Sequence, residues 1–302
     1  MDVIKLITPD VKPGEFALPV MDVSGVKRKY LDIPYTPGGG ADQSLDIYLP
    51  DEGDGPFPVI IFIHGGAFWG GDKRDFQCLY LMDGIRRGYA VVNVNHRLSQ
   101  VAKFPHSVFD VKAAVRFLRG NAEKYCLDKT RFAIGGDSAG SYYAAMLGTS
   151  ADIPALEDLT MGYPEESSAV QAVIGLFGVY DLEKQSRFTE ETPGTPGMPK
   201  MGNFADQFMG LNCREYPDLV KLAWPGSYVR KDCPSMLIQA GTKDEVVPYE
   251  NSPDLVNKIN SVCGEGRAVM EPFEGLTHGH PDFGKPENVD RMFAFLDSVL
   301  KK

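Results

Sequence analysis

The sequence predicts an α/β protein built on an eight-stranded, mostly parallel sheet with helices on both faces. Short, continuous apolar runs recur along the chain, as expected for strands that are buried on both faces. Helical patterns separate most of these runs, and parallel strands require such crossover connections. The 302 residues, 43% of them hydrophobic, suffice to bury a large core, and we expect a single domain over residues 1–302.

The predicted strands and helices follow one another in a regular order. Residues 28–36 and 44–49 alternate apolar and polar side chains around a TPGGGADQ turn signal, which predicts an antiparallel hairpin at a sheet edge. The other six strands are predicted at 56–63, 89–95, 132–134, 172–178, 235–241 and 267–274. Helices are predicted at about 76–87, about 107–124, after the turn at 136–140 that follows 132–134, and at about 286–300.

One segment interrupts this alternation of strands and helices. The roughly fifty residues from Leu182 to Asp232 are too many for a plain connection between two elements. They include the large apolar side chains Phe204, Phe208, Met209 and Trp224. We therefore predict a cap insertion at about 182–232, after the sixth strand, that folds over one end of the sheet.

The segment RFAIGGDSAGSYYAAMLG, residues 131–148, indicates an exposed serine. A short strand, a turn around Ser138 and a helix follow one another there, and such a sharp turn pushes the serine side chain out of the sheet. Gly136 and Gly140 suit the close approach of the strand to the helix. The helix N-terminus directs free N–H groups at the site, so Ala139 is a candidate oxyanion donor. Because a glycine-rich chain can contain this pattern by chance, Ser138 needs partners elsewhere.

Residues suited to catalysis also follow three other predicted strands. Ligands of parallel α/β sheets bind beyond the carboxyl ends of the strands, where the loops converge. The segment HGGA follows the third strand, and its adjacent glycines allow the amides of Gly66 and Ala67, or alternatively Gly65, to face an oxyanion. Asp244 follows the seventh strand and His278 follows the eighth. All of these residues are expected at one edge of the sheet.

Together these motifs resemble the α/β-hydrolase superfamily. The resemblance covers roughly residues 40–300 and indicates the esterase branch that includes hormone-sensitive-lipase-like and acetyl-xylan or feruloyl esterase-like enzymes. In that family Ser, Asp and His follow strands five, seven and eight in this chain order. Ala67 replaces the third glycine of the family's frequent HGGG, and we expect the oxyanion hole to persist because alanine also has an amide N–H.

The resemblance implies a role for each candidate residue. His278 takes the proton from Ser138 and returns it to the leaving alcohol, while Asp244 orients the imidazole and stabilises its charged form. The predicted oxyanion donors are Gly66, Ala67 and Ala139. The predicted substrate-pocket residues are Phe68, Trp69, Tyr142 and His280. With a histidine base near its reference pKa of ~6.5, activity is expected to rise through about pH 6–7.

Several residues compete for these roles or have a structural interpretation. His280 competes with His278 as the base, and the family's His-Gly-aromatic habit favours His278. Asp181, after the sixth strand, is the alternative to Asp244, although it suits the start of the predicted cap. Asp137 is interpreted as a solvated or loop-bracing carboxylate. The histidines interpreted as structural, surface or packing residues are His64, His96 and His106.

The sequence therefore predicts a serine carboxylic-ester hydrolase that acts through an acyl-enzyme. Resemblance to carbohydrate esterases, together with bulky side chains near Ser138, favours a short acyl group such as acetyl and a sugar or hemicellulose oligosaccharide as the alcohol part. The alternatives are an arylformamidase-like or peptidase-like hydrolase on the same scaffold. A non-catalytic binding protein is disfavoured because Ser138, Asp244 and His278 are all present.

Composition argues against several other classes of function. The net charge of −10 repels phosphate backbones, so nucleic acid is not expected as a partner. No His or Cys cluster has metal spacing and no glycine-rich loop carries a P-loop lysine, so we expect no metal and no cofactor. The five scattered cysteines and the lack of a signal-peptide pattern suggest a cytoplasmic protein with reduced thiols. No apolar stretch approaches the ~18 residues of a membrane helix, so no membrane partner is expected, and homo-oligomerisation is left open.

Overall fold

The structure is a computed structural model that describes residues 4–7, 18–192 and 202–301. Its strands are β1 (Lys5–Ile7), β2 (Val20–Asp22), β3 (Lys29–Pro34), β4 (Ser44–Tyr48), β5 (Phe57–Ile63), β6 (Ala90–Val94), β7 (Leu127–Asp137), β8 (Ala172–Leu176), β9 (Ser235–Gly241) and β10 (Ala268–Phe273). Its helices are α1 (Leu79–Met82), α2 (His106–Gly120), α3 (Ala139–Ser150), α4 (Leu182–Glu191), α5 (Phe204–Met209), α6 (Pro217–Val220), α7 (Asn251–Cys263) and α8 (Pro286–Leu300).

Eight of these strands form the main sheet, in the spatial order β10-β9-β8-β7-β5-β6-β4-β3. The pairs β3–β4 and β4–β6 are antiparallel, and the other neighbouring strands are parallel. This arrangement confirms the predicted mostly parallel sheet with a hairpin at one edge. β1 and β2 form a separate antiparallel pair, which the sequence analysis did not predict.

The strand β5 shows how an apolar run serves both faces of the sheet. All seven of its residues are buried. Val59, Ile61 and Ile63 join the core on one face, whereas Ile60 and Phe62 join the core on the other. Successive side chains of a strand point in opposite directions, so a continuous apolar run is needed where both faces are covered. Burial of each such side chain stabilises the fold by about 1.5–3 kcal/mol.

Helices cover both faces of the sheet, as predicted. Val111 of α2, Ala144 of α3 and Leu255 of α7 belong to the core on one face. Leu81 of α1 and Phe293 of α8 belong to the core on the other. Among the described helices, none combines the length and the apolar character needed to cross a bilayer.

Two predicted helices differ from the observed ones. The segment predicted as a helix at about 76–87 is divided into α1 and two flanking 3-10 turns, Phe76–Cys78 and Asp83–Arg87. Gly84 packs closely on the sheet in the second turn, since a Cβ there would lie 3.0 Å from Val91 Cγ2. The second helix ends at Gly120, a few residues earlier than predicted, and a Cβ at Gly120 would clash with the Tyr163 ring. These close approaches to the rest of the fold shape the two helices more than local propensity does.

An insertion of short helices follows β8, the sixth strand of the main sheet, as predicted. It contains α4, α5 and α6 together with two 3-10 turns. Phe208 of α5 stacks on Phe68 of the loop after β5, with ring centroids 4.1 Å apart. The insertion therefore contacts a loop at the carboxyl end of the sheet. Residues 193–201 of the predicted cap lie outside the described residues.

Candidate active site

Ser138 lies in a sharp turn between β7 and α3. Its backbone is left-handed in φ, with φ 51° and ψ −119°, which is rare for a residue with a side chain. A Cβ on Gly136 would clash with the backbone of Gly140, and a Cβ on Gly140 would clash with the carbonyl oxygen of Ile63. The turn therefore requires both glycines. Although the sequence predicts an exposed serine, Ser138 is buried, with 9% of its surface exposed.

The structure brings Ser138, His278 and Asp244 together. His278 Nε2 lies 3.1 Å from Ser138 Oγ, and His278 Nδ1 lies 2.7 Å from Asp244 Oδ2. The other carboxylate oxygen of Asp244 accepts hydrogen bonds from the amides of Val246 (2.9 Å) and Val247 (2.8 Å). These two bonds fix the plane of the carboxylate, which holds the Nδ1 proton of His278. The lone pair on Nε2 then faces the serine hydroxyl.

The environment of His278 shifts its basicity upward. Burial opposes the charged imidazolium, but the charge of Asp244 and its hydrogen bond outweigh burial, and the pKa of His278 is raised above its ordinary 6.5. The Phe177 ring packs edge-on against the imidazole, with centroids 4.8 Å apart. The imidazole is thus held by a carboxylate at one nitrogen and by an aromatic ring beside it, which leaves Nε2 free for proton transfer with Ser138.

The loop of residues 64–71, which we name the oxyanion loop, is tightly folded beside Ser138. Gly66, Ala67 and Phe68 have φ values of 115°, 54° and 60°. The carbonyl oxygen of Gly66 accepts from the amides of Trp69 and Gly70, both at 2.9 Å, and a Cβ on Gly66 would clash with Gly70. Three successive left-handed residues turn the chain so sharply that a glycine is required at position 66. The oxyanion roles of Gly66, Ala67 and Ala139 stay predictions.

The structure rules out the alternative oxyanion donor. The amide of Gly65 donates to Asp137 Oδ1 at 2.8 Å, so it is not available to an oxyanion. The interpretation of Asp137 as a solvated carboxylate is also wrong, because its side chain is buried and bonded to the oxyanion loop. The loop-bracing interpretation of the same residue agrees with this contact.

Two buried and stacked histidines lie in or next to the oxyanion loop, and one of them contacts its backbone. His64 Nδ1 lies 2.8 Å from the carbonyl oxygen of Gly65, and the His64 ring stacks on His96 with centroids 4.9 Å apart. Burial lowers the pKa of His64, and burial lowers the pKa of His96 to about 3. Both rings are therefore neutral at physiological pH and act as packing residues, as interpreted from the sequence.

The four predicted pocket residues lie in different surroundings. Phe68 and Tyr142 are buried in an aromatic cluster with Phe208, whereas the Trp69 side chain is 50% exposed. His280 Nδ1 accepts from the amide of Asp282 at 3.2 Å, which caps the turn Pro281–Gly284. Substrate contact by these residues stays a prediction. His280 is engaged in this turn, whereas His278 is the histidine that contacts Ser138 and Asp244.

Asp181 does not join the site. Its carboxylate accepts from the amides of Glu183 (3.1 Å) and Lys184 (3.0 Å), and it caps the N-terminus of α4. This contact agrees with the expectation that Asp181 begins the insertion. The alternative assignment of Asp181 as the partner of the base therefore has no support in the geometry.

Sequence reasoning missed two residues that hold the loop carrying Asp244. Asn251 Oδ1 accepts from the amides of Tyr180 (3.2 Å) and Asp181 (2.6 Å). Gln185 Nε2 donates to the carbonyl oxygen of Val246 at 2.9 Å. Asn251, at the start of α7, joins residues 180–181, which precede the insertion, to the segment after β9. Gln185 joins the insertion itself to the loop after β9. A single Asn or Gln in a helix carries no sequence pattern that would have revealed these contacts.

A groove of about 480 Å³ opens between α4, α6 and α7. It is lined by Asp181, Glu183, Lys184, Pro217, Val220, Lys221, Trp224, Ser227 and Asp254. None of the four predicted pocket residues lines this groove. Within residues 4–7, 18–192 and 202–301, no cluster of three or more His, Cys, Asp or Glu side chains could hold a metal ion.

Comparisons with known proteins agree with this fold. The BD-FAE family model matches residues 45–259. Esterase LipQ of Mycobacterium tuberculosis is 34% identical over 280 residues, which are 90% of this chain and 62% of LipQ. This chain spans 54–62% of the length of LipQ and of two further curated relatives.

Two solved structures show the same architecture. A truncated carbohydrate esterase from gut microbiota superimposes with a TM-score of 0.79 at 28% identity, covering 92% of this chain and 98% of that one. A bifunctional GH43-CE protein of Bacteroides eggerthii gives a TM-score of 0.78 at 28% identity, covering 92% of this chain and 39% of that one.

Proposed function

Because this chain belongs to the BD-FAE family and has the α/β-hydrolase fold, we propose that it is a serine carboxylic-ester hydrolase that acts through an acyl-enzyme. The observation that carries the proposal is the hydrogen-bonded series from Asp244 through His278 to Ser138. Each of the three side chains presents the atom that ester cleavage requires of it. The curated relatives named esterases support the same reaction class.

The reaction proceeds in two halves with His278 moving one proton. Nε2 of His278 takes the hydroxyl proton as Ser138 Oγ attacks the ester carbonyl, and Asp244 stabilises the imidazolium. The amides of Gly66, Ala67 and Ala139 stabilise the negative charge that forms on the carbonyl oxygen. Loss of one such donor typically slows the reaction about 10²–10³-fold. His278 then protonates the leaving alcohol, and water repeats the sequence on the acyl-enzyme.

Trapping of the acyl-enzyme tests this proposal directly. Rapid acid quench of the protein with p-nitrophenyl acetate should add the mass of one acetyl group to the peptide that carries Ser138. His278→Ala should abolish this adduct because the hydroxyl then has no base. Turnover of the ester without an adduct on Ser138, in wild type or in a slowly deacylating variant, would contradict a serine acyl-enzyme.

We further propose that the acyl group is short, with acetyl preferred. Phe68 and Tyr142 pack edge-to-face at 5.3 Å, and Phe208 of the insertion stacks on Phe68. This filled aromatic cluster next to Ala67 supports a site with little room for a long acyl chain. kcat/KM should fall from p-nitrophenyl acetate through butyrate to octanoate. A preference for decanoate over acetate would refute the short-acyl site.

We also propose that the alcohol part of the ester is a saccharide and that the groove beside α4 binds it. The indole of Trp224 lies against Gly226, where a Cβ would clash with its six-membered ring, and Trp224 also lines the groove. An aromatic face can stack on a sugar ring, while the carboxylates of Glu183 and Asp254 can accept hydrogen bonds from sugar hydroxyls. The two solved structures that resemble this chain are named as carbohydrate esterase and as GH43-CE.

Kinetics on two substrates test the saccharide proposal. Trp224→Ala should raise KM for an acetylated hemicellulose oligosaccharide about two- to tenfold, given that aromatic stacking contributes about 0.5–1.5 kcal/mol. The same variant should leave p-nitrophenyl acetate hydrolysis unchanged. Leu222→Ala, at an exposed residue that does not line the groove, is the matched control. Equal effects of both variants on the oligosaccharide would exclude Trp224 as a sugar platform.

A further inference from the structure

Asp137 is a buried carboxylate beside the nucleophile that the proposed mechanism leaves unused. It is the last residue of β7, directly before Ser138, and its side chain is 1% exposed. Its Oδ1 accepts the amide of Gly65 at 2.8 Å across 72 positions of sequence. This bond joins the strand that carries the nucleophile to the oxyanion loop, which follows a neighbouring strand.

The fit between Asp137 and Gly65 is close on more than one side. A Cβ on Gly65 would lie 2.9 Å from Asp137 Oδ2 and 3.0 Å from the Asp137 carbonyl oxygen. The carboxylate therefore occupies the volume that a side chain at position 65 would need. Glycine at this position lets the whole carboxyl group seat against the backbone of the oxyanion loop, one residue before the first predicted oxyanion donor, Gly66.

We propose that Asp137 is a positioning residue, which holds the Gly65 amide so that the amides of Gly66 and Ala67 face the oxyanion. This inference rests on the proposed esterase function. Asp137 does not touch the substrate; it acts through the backbone of the oxyanion loop. Preorganised donors stabilise the developing charge because they need no rearrangement during the reaction. Without the Asp137–Gly65 bond, the oxyanion loop should therefore stabilise the transition state less, while substrate binding stays largely unchanged.

The charge of Asp137 adds a second effect on the base. Burial raises the pKa of Asp137 to about 7, against the opposing effects of the Gly65 amide and of His278, while Asp75 raises it further. Burial raises the pKa of Cys78 and of Tyr80, and the charge of Asp137 raises both further. An oxygen of the carboxyl group can accept the Gly65 N–H in either protonation state. This hydrogen bond, which we call the brace, therefore persists when the charge of Asp137 changes. Ionised Asp137 also contributes to the raised pKa of His278.

Two substitutions separate the brace from the charge. Asp137→Asn keeps an oxygen that can accept from Gly65 but removes the charge. It should retain kcat within about threefold and move the acidic limb of the pH–rate profile to lower pH. Asp137→Ala removes the acceptor and should lower kcat about 10- to 100-fold, with a much smaller change in KM. Asp128→Asn, at the opposite end of β7, is the control and should change neither quantity.

Each outcome supports or overturns the proposal. Equal kcat for Asp137→Ala and wild type would overturn the brace, as would failure of Asp137→Asn to restore the rate lost in Asp137→Ala. If the alanine variant fails to fold, hydrogen exchange of the Gly65 amide in wild type and in Asp137→Asn decides, because an amide held by this bond is protected in both proteins and fast exchange in wild type would overturn the proposal. Carboxyl ¹³C NMR adds a readout without catalysis, since a carboxyl that titrates near neutrality should be absent from Asp137→Asn. Wild type inactive on p-nitrophenyl acetate would instead refute the proposed function.

Discussion

His278 Nε2 lies 3.1 Å from Ser138 Oγ, although 140 positions of sequence separate the two residues. The contact forms because β7 and β10 are parallel members of one sheet, so the loops after both strands reach the same edge. The sheet thereby brings the His278 imidazole within hydrogen-bond distance of the Ser138 hydroxyl, which no local sequence pattern could do.

Removal of the hydroxyl or of the imidazole should abolish turnover. Ser138→Ala and His278→Ala should each lower kcat for p-nitrophenyl acetate by about 10⁴–10⁶-fold, because the two side chains act as one unit. Ser298→Ala, at an exposed serine of α8, should leave kcat unchanged. Steady-state release of p-nitrophenol measures all three. More than a tenth of wild-type activity in Ser138→Ala would mean that another group attacks the ester.

The two candidate carboxylates should respond very differently to the same substitution. Asp244→Asn should lower kcat about 10⁴-fold, because an amide no longer holds the Nδ1 proton of His278 and the tautomer changes. Asp181→Asn should stay within about twofold of wild type, since asparagine caps a helix as well as aspartate does. Measurement of kcat for Asp244→Asn and Asp181→Asn tests this prediction. A large loss in Asp181→Asn with little loss in Asp244→Asn would reverse the assignment.

The pH–rate profile should lie higher than the sequence alone suggests. A rise through about pH 6–7 is expected for a histidine at its reference pKa, but the pKa of His278 is raised above 6.5. The base must be neutral to accept a proton, so activity should increase with pH through the raised pKa and reach a plateau above it. kcat/KM for p-nitrophenyl acetate between pH 5 and 9 measures this limb. A profile flat over pH 5–8 would count against a histidine base.

The oxyanion loop should tolerate a methyl group at one glycine and not at another. At Gly66 a Cβ would clash with Gly70 and φ is 115°, so Gly66→Ala should lower kcat at least about 100-fold and reduce Tm. At Gly70 nothing lies within 4 Å of an added Cβ, so Gly70→Ala should behave like wild type. Measurement of kcat and Tm for both variants tests this prediction. Equal activity of the two variants would show that the loop backbone is not restricted as described.

Buried Asp137 should also appear in the pH dependence of stability. Its pKa is raised from 3.8 to about 7 by burial, so the folded state binds this proton more tightly than the unfolded chain does. Stability from this group is therefore greatest below 3.8 and is lost as pH rises toward 7. Asp137→Asn removes the dependence, and its Tm relative to wild type should increase between pH 4 and pH 8. A constant Tm difference over that range would contradict a raised pKa.

The eight sheet strands could be predicted because their side chains report their surroundings. Runs such as β5 are apolar throughout, as strands covered on both faces must be. Ser138, Asp244 and His278 each lie within a few residues of the end of a predicted strand. The topology then brings strand ends together, so the three side chains were expected at one place. The family resemblance implies the hydrogen bonds among these three side chains, and the structure gives their distances.

Other features depend on contacts that no local pattern encodes. Burial of Asp137 results from the approach of the loop after β5, and sequence reasoning could not choose between a solvated and a bracing carboxylate. Phe68 and Tyr142 are buried because Phe208, in an insertion far along the chain, packs against both rings. The flanking 3-10 turns around α1 depend on how closely Gly84 approaches the sheet. In each case tertiary packing, rather than propensity or periodicity, decides the outcome.

The position of β10 at the edge of the sheet has a consequence for local unfolding. Ser138 follows β7, which is enclosed between β5 and β8, whereas His278 follows β10, which pairs with β9 at the end of the sheet order. Edge strands open at a lower free-energy cost than central ones. Amide protons of β10 should therefore exchange with solvent before those of β7. On gentle heating, esterase activity should disappear while the centre of the sheet still protects its amides.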